Sequence, residues 1–342
     1  MVGGAGPRAG GVNFAWRDGE RLIRFGRGVA AEAVDTLGGP GYRLLTTERA
    51  AAALPDLAGA AAAVWFVPAG TVPGLAASAL AWAREAGEDP RIVALGGGRV
   101  IDSAKAVAAA LGGAARALAV PTTLSGAELT RSHRHAEGVD PATPLVRCAV
   151  VVSDPALSAS QPEAELAASA LNALGHAFEA PCTTRANPVA TLAARDAARR
   201  LAGAFLGTEV DRDACALGAL LAGYALDGAG YGLHHVVAQT LAFAGIASHG
   251  QANAIMLPHC ARALAARAPA EYAALADALG AEPADVAARI GERTGATRLR
   301  ELGAEPQALD AAAEAAARRP QLDFTPPRAE RDELRALYAA AY

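Results

Sequence analysis

The sequence has 342 residues, 52% of them hydrophobic, and a net charge of −4 from 31 Lys and Arg against 35 Asp and Glu. That length predicts two domains with a sizeable core. The mild negative charge and an aromatic content of 5% leave no electrostatic footing for nucleic acid or an anionic membrane, and no platform for stacking bases.

Four scattered cysteines, Cys148, Cys182, Cys215 and Cys260, form no CxxC pair, which predicts a reduced, cytoplasmic protein. No apolar stretch of about 20 residues marks a membrane span. Residues 1–12 are glycine-rich and lack the apolar core of a signal peptide, so they predict a disordered tail.

From there the chain alternates. Ile23–Phe25 predicts a short strand, with Gly26 and Gly28 opening a helix through Leu37. Tyr42–Leu45 predicts the next strand, ending at Thr46, Thr47 and Glu48. In a dinucleotide fold an acidic residue after the second strand takes the ribose hydroxyls. With two threonines there and Glu48 just beyond, NADH and NADPH both stay open. Ala63–Phe66 predicts a further strand and Val72 to Ala86 a helix, an alternation that indicates a parallel α/β sheet.

The densest signal follows. The apolar run Arg91–Leu95 predicts a buried strand, Gly96, Gly97 and Gly98 a turn, and Val100 to Leu111 a helix. Glycines between strand and helix let backbone approach a phosphate, which the free N–H groups and positive dipole end of the helix then hold. A second apolar run, Ala117–Val120, ends in Pro121, Thr122 and Thr123. Those hydroxyls stand at a strand's carboxyl end, where ligands of open α/β sheets sit.

Residues 131–140 are polar and interrupt the pattern. Arg131 and His133 there either meet an anionic substrate or belong to a solvated loop. Cys148–Val152 resumes the pattern as a strand, leading to Ser153–Leu157. From Pro162 onward nearly every stretch predicts an alanine-rich helix, so the boundary falls near 160. The α/β domain spans 13–160 and the all-helical domain 161–342, closing on an amphipathic helix from Glu330 to Tyr342.

In the helical half, Asn172 and His176 are four apart and share one helix face. A later helix, Gly232 to Phe243, carries His234, His235 and Gln239, and His249 follows it. His234, adjacent to His235, points off the shared face, and His259 lies beyond the pattern.

Gly96–Lys105 (GGGRVIDSAK) resembles the GGGSxxDxAK signature of the iron-containing (group III) alcohol dehydrogenase superfamily, and Pro121–Thr130 resembles its PTT…GSE segment. The resemblance extends from Arg24–Gly28 to Pro326–Arg328. It implies the dehydroquinate synthase-like architecture, a Rossmann-like α/β dinucleotide-binding domain followed by an all-α domain, with cofactor and substrate meeting in the cleft between them. Gly96, Gly97, Gly98 and Asp102 would hold the pyrophosphate region. Thr122 and Thr123 would position adenine-side or ribose groups, with Ser125 and Leu157 among the cofactor contacts. Lys105 would touch cofactor phosphate or pair with Asp102 on the helix surface.

In this superfamily a divalent metal is bound by an Asp and a His four apart and by two later histidines. Here His176, His235 and His249 match, while Asn172 replaces the Asp, as in the NAxxH form of maleylacetate reductases. Gln239 replaces a further His. Iron or zinc, if present, would take His176, His235 and His249. The metal-free version, preferred here, makes them donors to a substrate oxygen, with an imidazole of near-neutral pKa giving the proton. Asn172 and Gln239 then orient the substrate.

The resemblance thus implies an NAD(P)H-dependent reductase of the maleylacetate reductase-like branch. It would act on an activated, carboxylated enone or carbonyl as a homodimer. The alternatives are a metal-dependent alcohol dehydrogenase or aldehyde reductase, and a redox-inactive member acting as a lyase, a cyclase or a binding protein.

Overall fold

The computed structural model describes residues 12–158 and 161–342. Two compact units emerge. One takes the described residues up to Thr123 and those from Ala127 to the Pro155–Ser158 turn; the other takes Leu124–Gly126 and 161–342. Of the predicted tail only Val12 is among the described residues, and residues 159 and 160, where the predicted boundary falls, lie outside them.

The first unit is built on seven strands: β1 (Phe14–Asp18), β2 (Arg21–Phe25), β3 (Arg43–Thr46), β4 (Ala63–Phe66), β5 (Arg91–Gly96), β6 (Arg116–Pro121) and β7 (Cys148–Ser153). They lie in the order β1-β2-β7-β6-β5-β3-β4. Strands β5 and β6 sit mid-sheet with both faces covered, so they read as continuous apolar runs with Ile92–Leu95 and Ala117–Val120 buried throughout. On one face Leu44, Val93, Leu95, Leu118, Val120 and Val152 pack with Val29 and Leu37.

Two expectations are corrected. The sheet is parallel from β2 to β4, but β1 pairs antiparallel with β2. An edge strand with three consecutive exposed residues carries no apolar alternation, which is why no sequence signal marked it. The helix expected through Leu37 is a 3₁₀ turn, Val29–Glu32, followed by a single helical turn, Ala33–Thr36. Its start is fixed from outside: the Asp154 carboxylate accepts the Gly28 and Ala30 N–H groups at 2.9 and 3.0 Å.

The second unit is helical, as expected. The helices Pro188–Gly203 and Arg212–Ala229 meet through Ala190, Ala194, Ala225 and Ala229, so part of the alanine content is the small-residue surface of close helix packing. A larger core joins Val236, Val237 and Leu241 of the Leu233–Phe243 helix to Ile255, Met256 and Cys260 of the His249–Arg267 helix. The terminal Arg331–Ala340 helix adds Leu334 and Tyr338, and the Tyr338 hydroxyl donates to the Val237 carbonyl at 3.0 Å. No helix among the described residues is long and apolar enough to cross a membrane.

Candidate active site

In the α/β unit, β5 ends in the glycine turn and the Gly98–Leu111 helix starts at once, with no side chain capping its first amides. The Val100 and Ile101 N–H groups both turn back to the Gly97 carbonyl, at 3.0 and 3.1 Å, and the earlier amides have no intrahelical acceptor. Glycine is required for space. A Cβ on Gly96 would lie 2.8 Å from Val100 Cγ2, and one on Gly97 would lie 3.1 Å from Thr123 Oγ1. Gly96, Gly97, Gly98 and Thr123 are therefore brought together around uncapped backbone donors, an arrangement that suits an anionic phosphate. Thr122 joins through its N–H, which donates to the Gly96 carbonyl at 3.0 Å.

Other expected contacts fall elsewhere. Lys105 is not on the helix surface. It is fully buried, pairs with Asp102 at 2.8 Å, and donates to the carbonyls of Ala127, Thr130 and Ser132. Asp102 thus serves to hold the cation that pins the segment after the PTT motif. Leu157 packs against the core beneath the sheet. Thr46 donates to the Leu95 carbonyl at 2.9 Å, Thr47 caps the Glu48–Ala53 helix, and Glu48 is exposed in that helix's first turn. His133 is committed to its own loop, where Nδ1 donates to the Arg134 carbonyl and Nε2 accepts the Val146 N–H. Sequence reasoning passed over Glu128, a fully buried carboxyl pushed up to about 7 by desolvation despite the nearby Lys105 and Arg21.

In the helical unit, Asn172 and His176 do share one face of the Glu163–Glu179 helix, both buried. The Asn172 amide reaches the Ser125 carbonyl at 3.5 Å, which places Ser125 in this unit. The His176 and His235 rings stack with centroids 4.6 Å apart and planes 18° apart. His234 does not point away from this group: it is fully buried and meets His235 edge-on at 4.9 Å. Gly175 makes that possible, since a Cβ there would lie 2.4 Å from His234 Nε2.

His249 opens its helix and its Nε2 faces the Asn253 amide at 3.2 Å. Gln239 is turned to a different task, its amide oxygen accepting from Arg319 at 2.8 Å. The buried polar atoms left without a partner include Asn172 Oδ1, His176 Nδ1 and His235 Nε2.

The residue that sequence reasoning missed here is Glu179. It is fully buried, takes the His234 backbone N–H on one oxygen at 2.7 Å, and takes His235 Nδ1 on the other at 2.7 Å. Its position seven residues after Asn172 and three after His176, on one helical face, was the signal that could have found it.

Electrostatically the group is uncharged imidazole. Burial first, then mutual repulsion, pushes His176 well below its ordinary value, and burial drives His234 and His235 down to about 3. The near-neutral proton donor expected from sequence is corrected accordingly: at neutral pH these rings act through neutral N–H groups and lone pairs. Among the described residues no group of three or more His, Cys, Asp or Glu side chains stands ready to hold a metal ion. A dication would also meet neutral Asn172 where a carboxylate would balance its charge. The groups gathered here thus offer a dication only neutral imidazole and amide atoms.

Fold and site together define a class: a parallel α/β unit with a glycine phosphate turn, followed by a helical unit carrying a buried imidazole group. The chain belongs to the Fe-containing alcohol dehydrogenase family, whose C-terminal model matches residues 166–342. It is 31% identical over 272 residues to a maleylacetate reductase of Rhizobium sp. (strain MTP-10005), covering 76% of this chain and 75% of the relative. It is 34% identical over 247 residues to maleylacetate reductase 1 of Rhodococcus opacus, covering 67% of each. The crystal structure of maleylacetate reductase from Agrobacterium tumefaciens superposes with a TM-score of 0.80 at 29% identity, covering 97% of this chain and 98% of that one.

Proposed function

We propose that the protein is an NAD(P)H-dependent reductase of the maleylacetate reductase type, acting on an activated, carboxylated enone or carbonyl compound. The observation that carries this reading is the neutral polar set of Asn172, His176 and His235, each with a buried polar atom that has no partner within the protein. A carboxylated substrate meets no opposing charge from Asn172, and Glu179 is turned away onto His235. The names of the two similar reductases, and the Asn four residues before His176, point the same way.

The glycine turn fits a dinucleotide. Gly97, Gly98 and Thr123 would hold its phosphates, and the bound dihydronicotinamide supplies the hydride. The chain's own residues supply the rest. His176 and the Asn172 amide orient the acceptor oxygen, and the single proton that must join the hydride comes from water, relayed by a neutral imidazole that gives up a proton at one nitrogen and regains one at the other. The four cysteines are free and buried, in keeping with a cytoplasmic setting. Val189 and Leu192, exposed one turn apart on the Pro188–Gly203 helix, offer apolar surface to a second copy in a homodimer.

The test is loss of nicotinamide absorbance with maleylacetate, run separately with NADH and NADPH and with and without a chelator. Turnover that survives chelation supports the reading. Turnover abolished by chelation, or confined to simple aldehydes, replaces it with a metal-dependent alcohol dehydrogenase. Failure of either nicotinamide to bind points instead to a redox-inactive member. In an active protein, His235→Ala is expected to lower kcat about a hundredfold.

A further inference from the structure

Glu179 is the most deeply buried carboxylate of the helical unit, and both its oxygens are used. The Leu233–Phe243 helix starts at Gly232 with no side-chain cap of its own. Glu179, arriving from the end of the Glu163–Glu179 helix, takes the His234 N–H in the first turn and so caps that helix from outside. Its second oxygen faces His235 Nδ1 at 2.7 Å. Burial raises the Glu179 carboxyl, but the backbone N–H groups of Gly232, His234 and His235 oppose that shift and favour the carboxylate; a carboxylate can only accept, so Nδ1 carries the ring's proton and Nε2 is left as a bare lone pair. That Nε2 is the buried, unpartnered atom of the ring.

We propose that Glu179 is the positioning residue of the site: it fixes His235 as the Nδ1–H tautomer and aims an Nε2 acceptor at the ligand. The inference rests on the reductase reading for its consequence, though not for its geometry. His235 then cannot give a neutral N–H to the substrate oxygen. It accepts from a ligand hydroxyl or takes up a proton, and donation to a carbonyl falls to His176 and the Asn172 amide.

One oxygen of the carboxylate is committed to the backbone cap, and this makes Glu179→Gln informative. A Gln of the same shape keeps its amide oxygen on the His234 N–H. It therefore turns its NH₂ toward His235, which must answer with an Nδ1 lone pair. The proton moves to Nε2 and the ring changes from acceptor to donor without leaving its place.

The experiment is ¹⁵N NMR of histidine-labelled protein without substrate, with His235 assigned by loss of its signals in His235→Asn. Expected is the Nδ1–H form in the wild type and the Nε2–H form in Glu179→Gln, with kcat down about tenfold to a hundredfold and KM within about twofold. Glu179→Asp, one methylene shorter, keeps the charge and should retain the wild-type tautomer in whatever fraction folds. An Nε2–H ring in the wild type, or unchanged tautomer and kcat in Glu179→Gln, overturns the proposal. The tautomer is read without turnover. If Glu179→Gln inverts the ring while the wild type reduces nothing, the positioning role stands and the reductase reading falls.

Discussion

The two units handle buried charge in opposite ways. The α/β unit brings ionisable groups together: buried Lys105 with half-buried Asp102, and buried Glu128 beside both, held largely protonated below about 7. The helical unit buries bases and keeps them uncharged, with His234 and His235 driven down to about 3. Glu128 and the histidines lose hydration on folding, and because burial disfavours the charged form, the acid shifts up and the bases shift down. Apart from Glu179, whose carboxyl burial also pushes up, the histidines of the helical unit and Glu128 of the α/β unit should therefore respond to pH with opposite signs.

The unit-specific probes exist in the chain. Trp16, Trp65 and Trp82, the three tryptophans of the sequence, all lie in the α/β unit, so their fluorescence reports it, while far-UV circular dichroism is dominated by the helices. The largest effect is expected in acid. His234 and His235 have folded values below the unfolded 6.5, so their contribution is present above that pH and is lost as pH falls. Between pH 7 and 5 the two together should cost the helical unit about 4 kcal/mol in denaturant unfolding followed by circular dichroism. Coincident transitions by both probes at both pH values would break the comparison.

Glu128 should give the reverse. Its folded value of about 7 stands above the unfolded 4.5, so the folded protein holds the extra proton and stability declines as pH rises through that window. Glu128→Gln removes the dependence and should raise stability by about 3 kcal/mol at pH 8, read by tryptophan fluorescence. A variant no more stable than wild type at pH 8 would mean the carboxyl is already compensated by Lys105.

Gly175→Ala sharpens the packing side. Gly to Ala within a helix normally stabilises by up to about 1 kcal/mol. Here the new methyl meets His234, so a loss of about 2 kcal/mol is expected in thermal or denaturant unfolding. The smallest effect belongs to Gly97→Ala. Thr123 must give way by a few tenths of an ångström, and NAD(P)H affinity in a fluorescence titration should fall about tenfold, roughly 1.4 kcal/mol, with stability little changed.

The same contrast governs what could be read in advance. Strands β5 and β6 were legible because mid-sheet burial writes itself as an uninterrupted apolar run; β4 carries a short apolar run although it lies at the sheet edge, while β1, at the opposite edge, goes over to charged residues after Trp16. Spacing alone brought Asn172 and His176 to one face, and His235 proved to stack on His176. What spacing cannot carry is depth. A lysine in a helix reads as solvated, yet Lys105 lies in the core; a Glu at a helix end reads as surface, yet Glu179 sits against two histidines. The imidazole charge state followed burial, not residue type, and so was misjudged from the sequence.

The tripeptide Leu124–Gly126, counted with the helices although it follows β6 in the chain, bears on how the protein can be dissected. Its Leu124 N–H donates to the Ser169 hydroxyl, Ser125 meets Asn172, and Gly126, at φ 72°, sits with no room to spare between Gly223 and His176. A clone beginning at 161 would thus be missing the wall behind its own imidazoles. The helical half cannot be excised as one continuous piece with that wall intact, and a fragment beginning at 161 should lack the native histidine signals.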